Sequence, residues 1–407
     1  MTATPTDPDF GGEPTEGNTM EIRFSEQALA FEIEVKSFLD TEWGGADRRR
    51  SHDTPEAYAA ERSFRRKLAD RGWLTMSWPA EFGGGERSFE EQYLFQEACN
   101  YVGAPIATVA VQQVGPTLMQ FGTDQQREHF LPPIARGETE FALGYTEPDA
   151  GTDLASLQLR AVRDGDDYVF NGIKRFTSAA HRAEYVWLAA RTDPNAPKHR
   201  GISMFLVPLN SEGITISPIW TLGGYRTNEV YFEDVRAPAE AMVGEENRGW
   251  YYAAHALDFE RVSIFTVSGV RAVYDALTAW ATQPAPDGPR PIDRPGVRAT
   301  LAHFRIELDV LQMLSYRNLG MIGRGEHPDH EASMVKIFST EMMQRLQNAG
   351  LGLLQLHGQL TPDEERAPIA GRIEQGYRAA VMPTFGAGAN EVMRNIIATR
   401  GLGLPRV

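Results

Sequence analysis

The chain has a single cysteine, no excess of positive charge and no long apolar run, and each shortage excludes something. Cys99 has no second thiol among the 407 residues, which rules out an intrachain disulfide and a thiolate metal site. Its place in the helix-like segment FQEACNYVG suits a small core residue, and no metal is expected. A formal net charge of −15 argues against nucleic acid or an anionic membrane as the main partner, because both repel an acidic surface. No stretch approaches the length that spans a bilayer, and no basic start, apolar core and cleavage site follow one another near Met1. A cytoplasmic protein is therefore expected. Large apolar side chains are scarce at the start as well: residues 1–19, rich in Thr, Pro, Asp, Glu and Gly, bury too little to offset their ordering entropy and are expected to form a disordered tail.

What is present falls into three blocks distinguished by period. Over residues 20–140 apolar residues recur at three and four, as in ALAFEIEVKSFLDTEW and PEAYAAERSFRRKLADRGW, which predicts helices. Gly72 ends one of them, the run WPAEFGGGERSF is a loop, and VQQVGPTLMQFG predicts another helix. In TDQQREHFLPPIARGE, Thr123 and Asp124 are plausible caps and Pro132 and Pro133 are expected to stop the run. Over residues 141–244 the period becomes two. Short β-branched and aromatic segments separated by Asp-Gly, Asn-Gly and other Gly-containing turns predict a middle domain of antiparallel strands. Over residues 245–407 long helical patterns return and predict a helical bundle. The fold class is α+β: an N-terminal helical domain, a middle antiparallel β domain and a C-terminal helical bundle.

The first seam carries the densest polar signal. In FALGYTEPDAGTDLAS, Thr146, Glu147, Pro148, Asp149, Gly151, Thr152 and Asp153 crowd into one loop after an apolar start. Such a loop presents backbone N–H groups and hydroxyls together, which suits an oxygen-rich ligand. An ordinary turn between two strands has the same composition.

Four landmarks in order, TEPDAGTD, VFNGIKRFTSAAH, YFEDVRAP with VGEENRGW, and GANEVMRNIIATRGLGLPR, resemble the acyl-CoA dehydrogenase family over nearly the whole chain after the tail. The resemblance implies FAD, an acyl-CoA thioester substrate, α,β-dehydrogenation and an electron-transfer flavoprotein as acceptor. It places Leu143, Tyr145 and Thr146 along the flavin ring and its pyrimidine edge, and Thr152 near the flavin phosphates and the CoA arm. Phe176 takes the place of an aromatic packed on the isoalloxazine, with Thr177 beside it and Ser178 as the hydroxyl that approaches the reactive nitrogen. Gly388 and Asn390, in the loop GAGAN, are expected at the flavin, with Asn390 capping a helix that begins near Glu391. A purely structural cap would use the same residues.

Removing an α-proton from a thioester requires a base. Many members of the family place a carboxylate just before the glycine of the last landmark; here that position is Ala387, left beside the substrate. A minority uses a glutamate in the first long helix after the sheet, which in LDFERV matches Glu260. Glu260 lies three residues after Leu257 and four before Ile264, so on a helix it shares their apolar face. Desolvation there would raise its pKa toward that of a base working near neutrality. An ion pair with a bundle arginine is the structural alternative. Asp258 and Arg261 are expected to form an i,i+3 pair at the thioester end of the cleft.

A further departure concerns the neighbouring subunit. The family's arginine-phenylalanine-glycine motif, which reaches the adenine half of FAD across a subunit contact, is missing from TAWATQPAPDGPRPIDRPGVRATLAHF, although QLHGQL retains Gln355 and Gly358 in positions of that kind. These departures resemble the dehydrogenase subunits of bacterial steroid side-chain degradation, and imply a bulky or branched acyl group and either a homotetramer or a heterotetramer with a paralogous chain. The alternatives are a flavin oxidase or monooxygenase on the same fold and a partner subunit without its own chemistry.

Overall fold

The structure is a computed structural model and describes residues 23–44, 53–106, 108–260, 267–284 and 288–405, with the side chains of 255–260 left out. The first block comprises α1 (Glu26–Glu42), α2 (Pro55–Asp70), α3 (Phe89–Val102), α4 (Gly115–Phe121) and α5 (Asp124–Ala135). Each of the longer helices opens on a hydroxyl cap that satisfies an otherwise orphaned N–H. Ser25 accepts from Ala28 N–H and Thr54 from Ala57 N–H, while Ser88 with Glu91 and Thr123 with Gln126 form full capping boxes. The α1 residues Ala28, Phe31, Val35, Phe38 and Leu39 are buried at helical spacing, and Phe31, Phe38 and Trp73 meet edge-to-face in the core beneath.

Two expectations for this block need correction. Pro132 and Pro133 do not stop α5, which runs on to Ala135. The hydrogen bonds they forfeit belong to the carbonyls of Glu128 and His129, residues exposed to water, whereas Phe130, Leu131 and Ile134 on the other face are buried. Packing therefore outweighs the lost bonds. The segment VQQVGPTLMQFG is helical but not uniformly α: Ala110–Val114 is a π turn ahead of α4. Pro116 has no N–H to continue the α register, and Gly115 lies under the Trp78 indole, where an added Cβ would meet Cζ2 at 2.0 Å.

The sheet follows: β1 (Phe141–Gly144), β2 (Arg160–Asp164), β3 (Asp167–Lys174), β4 (Tyr185–Arg191), β5 (Ile202–Pro208), β6 (Ile214–Trp220), β7 (Arg226–Pro238) and β8 (Met242–Val243). Its order is β6-β7-β3-β2-β4-β5-β8, with β1 against β4. Most pairings are antiparallel as expected, but β1 runs parallel to β4, and Arg160 pairs with Arg191 in parallel. The Asp-Gly pair does make the β2–β3 hairpin. Asn171-Gly172 does not make a turn; it lies within β3 opposite a bulge in β7, where Glu233 and Asp234 (φ +51) together face Asn171 between the pairs Phe170–Val235 and Gly172–Phe232. Gly172, at φ +146, lies so close to Leu159 that a Cβ would meet its Cα at 2.9 Å. Period-two alternation along β3 turns Lys174 to the same buried side as Tyr168 and Phe170.

The last block comprises α6 (Gly249–Glu260), α7 (Ser268–Thr282), α8 (Pro295–Gly323), α9 (His330–Leu354), α10 (Arg372–Ala379) and α11 (Asn390–Ile396). Helices α7, α8 and α9 enclose a core of Leu277, Leu301, Leu308, Val335, Met342 and Leu346. Charged groups tie the first block to the sheet: Arg65 of α2 meets Glu140 at 2.9 Å, Arg62 pairs with Glu184, and Arg182 meets Glu61 at 2.6 Å. No helix among the described residues is long and apolar enough to cross a membrane.

Candidate functional site

The polar loop after β1 is built around Glu147. Its backbone closes a tight bridge with Ala150, N–H to carbonyl in both directions, at 3.0 and 3.2 Å. Its buried carboxylate accepts from the N–H groups of Gln158 (2.6 Å) and Leu159 (2.9 Å), which pins the far end of the loop. The same carboxylate takes the Lys174 ammonium at 2.7 Å, and Lys174 also donates to the Tyr145 carbonyl at 3.1 Å. Lys174 is completely buried. Burial pulls its ammonium down to about 8, with the Glu147 charge opposing that shift. Thr152 is left exposed at the loop tip beside Asp153, which holds Lys198.

One residue beyond Lys174, Arg175 donates its N–H to the Thr146 carbonyl at 2.8 Å. That bond joins the loop to the turn Phe176–Ser178, so two of the segments expected at the flavin are neighbours. Phe176 is 58% exposed and sits at φ +57, a conformation that a bulky side chain rarely adopts. Strain of this kind on an exposed aromatic concentrates at functional sites. Ser178 is exposed and its Oγ lies 3.2 Å from Thr227 Oγ1. Leu143 and Thr146 are half-buried. An exposed, backbone-strained phenyl face beside an exposed hydroxyl, with the Thr146 loop bonded alongside, fits the ring of a flavin.

Two members of the expected set lie elsewhere. Thr177 has no exposed surface, and its hydroxyl is buried without a hydrogen-bond partner, so its side chain does not share the face of Phe176 and Ser178. Its backbone is what serves the turn. Tyr145 is buried in the core under the sheet, where its hydroxyl accepts from the Trp187 indole N–H at 3.1 Å. Tyr145 continues the alternation of β1 and shares the core of Phe141.

The C-terminal loop is organised by another buried lysine. Lys336 of α9 donates to the carbonyls of Gly388 (2.6 Å) and Thr384 (3.3 Å) and to Asn390 Oδ1 (2.8 Å). Desolvation lowers its pKa, against the opposing charges of Glu391 and Glu341. Asn390 is not the cap of α11 but its first residue; Ala389 occupies the capping position with no side-chain bond. The Asn390 amide is buried and spent on Lys336, Thr340 (3.1 Å) and Glu341 (3.2 Å). Ala387 is exposed at φ +51, next to Gly388 at φ +91. Gln355 ends α9 in the strained conformation φ +55, exposed, and Gly358 is buried in the short turn that follows.

Glu260 is the last residue of α6, whose start is seated directly on β5: a Cβ at Gly249 would meet the Ser203 backbone at 2.7 Å. Helix α6 packs on α4 and the π turn. The side chains of Glu260 and Asp258, and all of Arg261, lie outside the described residues. Among the described residues, no group of three or more His, Cys, Asp or Glu is arranged to hold a metal.

Sequence reasoning missed Lys174, Lys336, Asn228 and His181, and saw Glu147 only as one polar residue of the loop. Lys174 had a usable signal, since plain period-two counting along β3 puts it in phase with the buried Tyr168 and Phe170.

A helical block, a sheet with an exposed aromatic edge and a helical bundle, in that order, are the architecture of a flavin-dependent oxidoreductase acting on CH–CH bonds. Family models agree in each part: the acyl-CoA dehydrogenase N-terminal domain matches residues 25–138, the middle domain 142–235 and the C-terminal domain 247–402. The chain belongs to the acyl-CoA dehydrogenase family. It is 38% identical to acyl-CoA dehydrogenase FadE26 of Mycobacterium tuberculosis over 95% of this chain and 99% of that one. The structure of the Tcur3481-Tcur3483 steroid ACAD is similar at a TM-score of 0.88 and 38% identity, over 95% of this chain and 99% of that chain. The ChsE4-ChsE5 complex from Mycobacterium tuberculosis gives 0.87 and 36%, over 95% and 100%.

Proposed function

We propose that this chain dehydrogenates a bulky acyl-CoA thioester, of the steroid side-chain or branched class, at the α,β-bond, with Glu260 as the base. The observation that carries the reading is the exposed Phe176–Ser178 edge bonded to the Thr146 loop, in a chain similar over 95% of its length to a steroid ACAD. The residues present fit FAD, which when bound would accept the β-hydride. Phe176, Ser178, Leu143 and Thr146 would hold its ring, while Thr152, Gly388, Gln355 and Gly358 would serve its phosphates and adenine half, the last two across a subunit contact.

The chain's own part in the reaction is to orient the thioester and take one proton. Glu260 receives the α-proton as the β-hydride departs, so one C–H electron pair becomes the double bond and the other leaves with the hydride. Asp258 and Arg261 position the thioester end. Ala387, without bulk or charge, leaves room beside the α-carbon for a large acyl chain. We further propose a tetramer shared with a paralogous chain that supplies the missing arginine motif, with an electron-transfer flavoprotein as acceptor. The two-name complexes ChsE4-ChsE5 and Tcur3481-Tcur3483 support the mixed assembly. Anaerobic bleaching of the flavin by a panel of acyl-CoAs tests the substrate class. Bulky ring-bearing thioesters are expected to bleach it, and turnover confined to short straight chains would overturn the reading.

A further inference from the structure

The turn Phe176–Ser178 is held from behind by a hydrogen-bond network that the reaction itself does not use. Asn228 of β7 is fully buried, and it clamps Thr177 on both sides: Thr177 N–H donates to the Asn228 carbonyl at 2.9 Å, and Asn228 Nδ2 donates to the Thr177 carbonyl at 2.9 Å. The amide orientation is fixed by Arg226, whose Nε donates to Asn228 Oδ1 at 3.0 Å. The second Nδ2 hydrogen therefore points to His181 Nδ1, 3.1 Å away. An amide N–H on that side makes Nδ1 the acceptor, so the imidazole is neutral and its hydrogen sits on Nε2. Nε2 in turn faces Tyr58 Oη at 2.8 Å and Asp53 Oδ1 at 3.1 Å, both contributed by the N-terminal helical block.

We propose that His181 is a positioning residue: through Asn228 it fixes the backbone that holds Phe176 in its left-handed conformation and Ser178 outward, and through Asp53 and Tyr58 it ties that edge to α2. The proposal rests on the flavin reading above. Protonation of His181 would put a hydrogen on Nδ1 facing the Asn228 N–H₂, donor against donor, and the chain of bonds would break there. The groups that face the imidazole are Asp53 and Tyr58 from the helical block, Arg226 from β7 and Arg182 from its own segment. Burial first, then the two arginines, hold its pKa below the ordinary histidine value, against Asp53. The neutral form is thus the resting one at neutral pH, and the network is lost as pH falls through that lowered value.

His181→Ala, His181→Gln and Asn228→Ala, each in the full chain with its partner where one is required, test this by two readouts. The first is deuterium exchange over 176–180 in the flavin-free protein; the second is titration of that protein with FAD at pH 8 and at pH 5.5. One buried hydrogen bond lost from the turn corresponds to about tenfold in affinity, or about 1.4 kcal/mol. His181→Ala and Asn228→Ala should speed exchange and weaken FAD binding by about that factor at pH 8. His181→Gln offers an amide oxygen to Asn228 and an amide N–H to Asp53, so it should restore affinity and abolish the weakening expected of the parent once His181 takes up its second proton at low pH. Unchanged exchange in both alanine variants would overturn the network. Faster exchange with unchanged FAD affinity would overturn its role at the flavin. A parent that binds no FAD at either pH would instead overturn the flavin reading, while exchange still reports on the network.

Discussion

Two loops at the candidate site are each built around a buried lysine, and they differ in what the lysine meets. Lys174 faces a buried carboxylate, Glu147, and one carbonyl; Lys336 faces two carbonyls and an amide oxygen, with carboxylates only further off. The first arrangement is neutral overall and rigid, which suits a loop that must hold a strained turn against a planar ring. The second leaves a positive charge behind a loop of small residues, so Gly388 and its neighbours sit in a field that favours an anionic or carbonyl-bearing ligand. A lysine compensated by charge holds a shape, whereas one solvated by carbonyls holds a shape and projects a potential.

The largest expected effect concerns where the base stands. Glu260→Gln keeps size and hydrogen bonding but cannot take the α-proton, so substrate-driven bleaching should fall by about 10²–10⁴ with flavin binding intact. Ala387→Glu would return a carboxylate to the Lys336-supported loop, and partial recovery in the double variant would mark the loop as the alternative seat of the base. Bleaching at the parent rate in Glu260→Gln would refute the assignment to α6.

Next comes the charge-compensated lysine. Lys174→Met strands the buried Glu147 carboxylate, which should cost about 3–5 kcal/mol in chemical denaturation. Lys174→Met with Glu147→Gln removes both charges and should recover part of that loss, since the glutamine oxygen still accepts from one of the two loop N–H groups. No recovery would mean that volume at the site, and not charge, sets the cost. Lys336→Met strands no charge and leaves only carbonyls unpaired, so its cost should be smaller, about 1–3 kcal/mol. Equal losses for the two single variants would erase the distinction between the loops.

These lysines also show where sequence reading stops. Phe176 and Ser178 were reached only through the family resemblance, whereas the three-part order and the polar character of the TEPDAGTD loop were legible because period and turn chemistry are local properties. Thr123 was legible as a cap for the same reason. Lys174 was not, because a lysine is expected in water even where strand alternation points it inward, and its partner Glu147 lies 27 residues away. Asn390 was read as a cap because a polar residue before a helix usually is one; only the distant Lys336, Thr340 and Glu341 draw its amide inward. Pro132 and Pro133 misled because helix continuation depends on which carbonyls face water.

The smallest effect sharpens the comparison through pH. Both lysines have folded pKa values below the ordinary 10.5, Lys174 down to about 8 and Lys336 by desolvation within its carbonyl cage. In the window between the folded and unfolded values the unfolded chain binds a proton that the folded chain has released, so stability rises with pH there. One such proton contributes a slope of at most about 1.4 kcal/mol per pH unit. For Lys174 the window runs from about 8 to 10.5, and below it both states are protonated and the slope vanishes. Denaturation measured from pH 7 to 10.5 should therefore show an alkaline rise that shrinks in the Lys174→Met, Glu147→Gln double variant. Lys336→Met should also shrink the rise below 10.5, since its folded pKa is lowered too. A profile unaltered by the double variant would mean that Glu147 holds Lys174 protonated throughout, and that the two loops carry the same net charge after all.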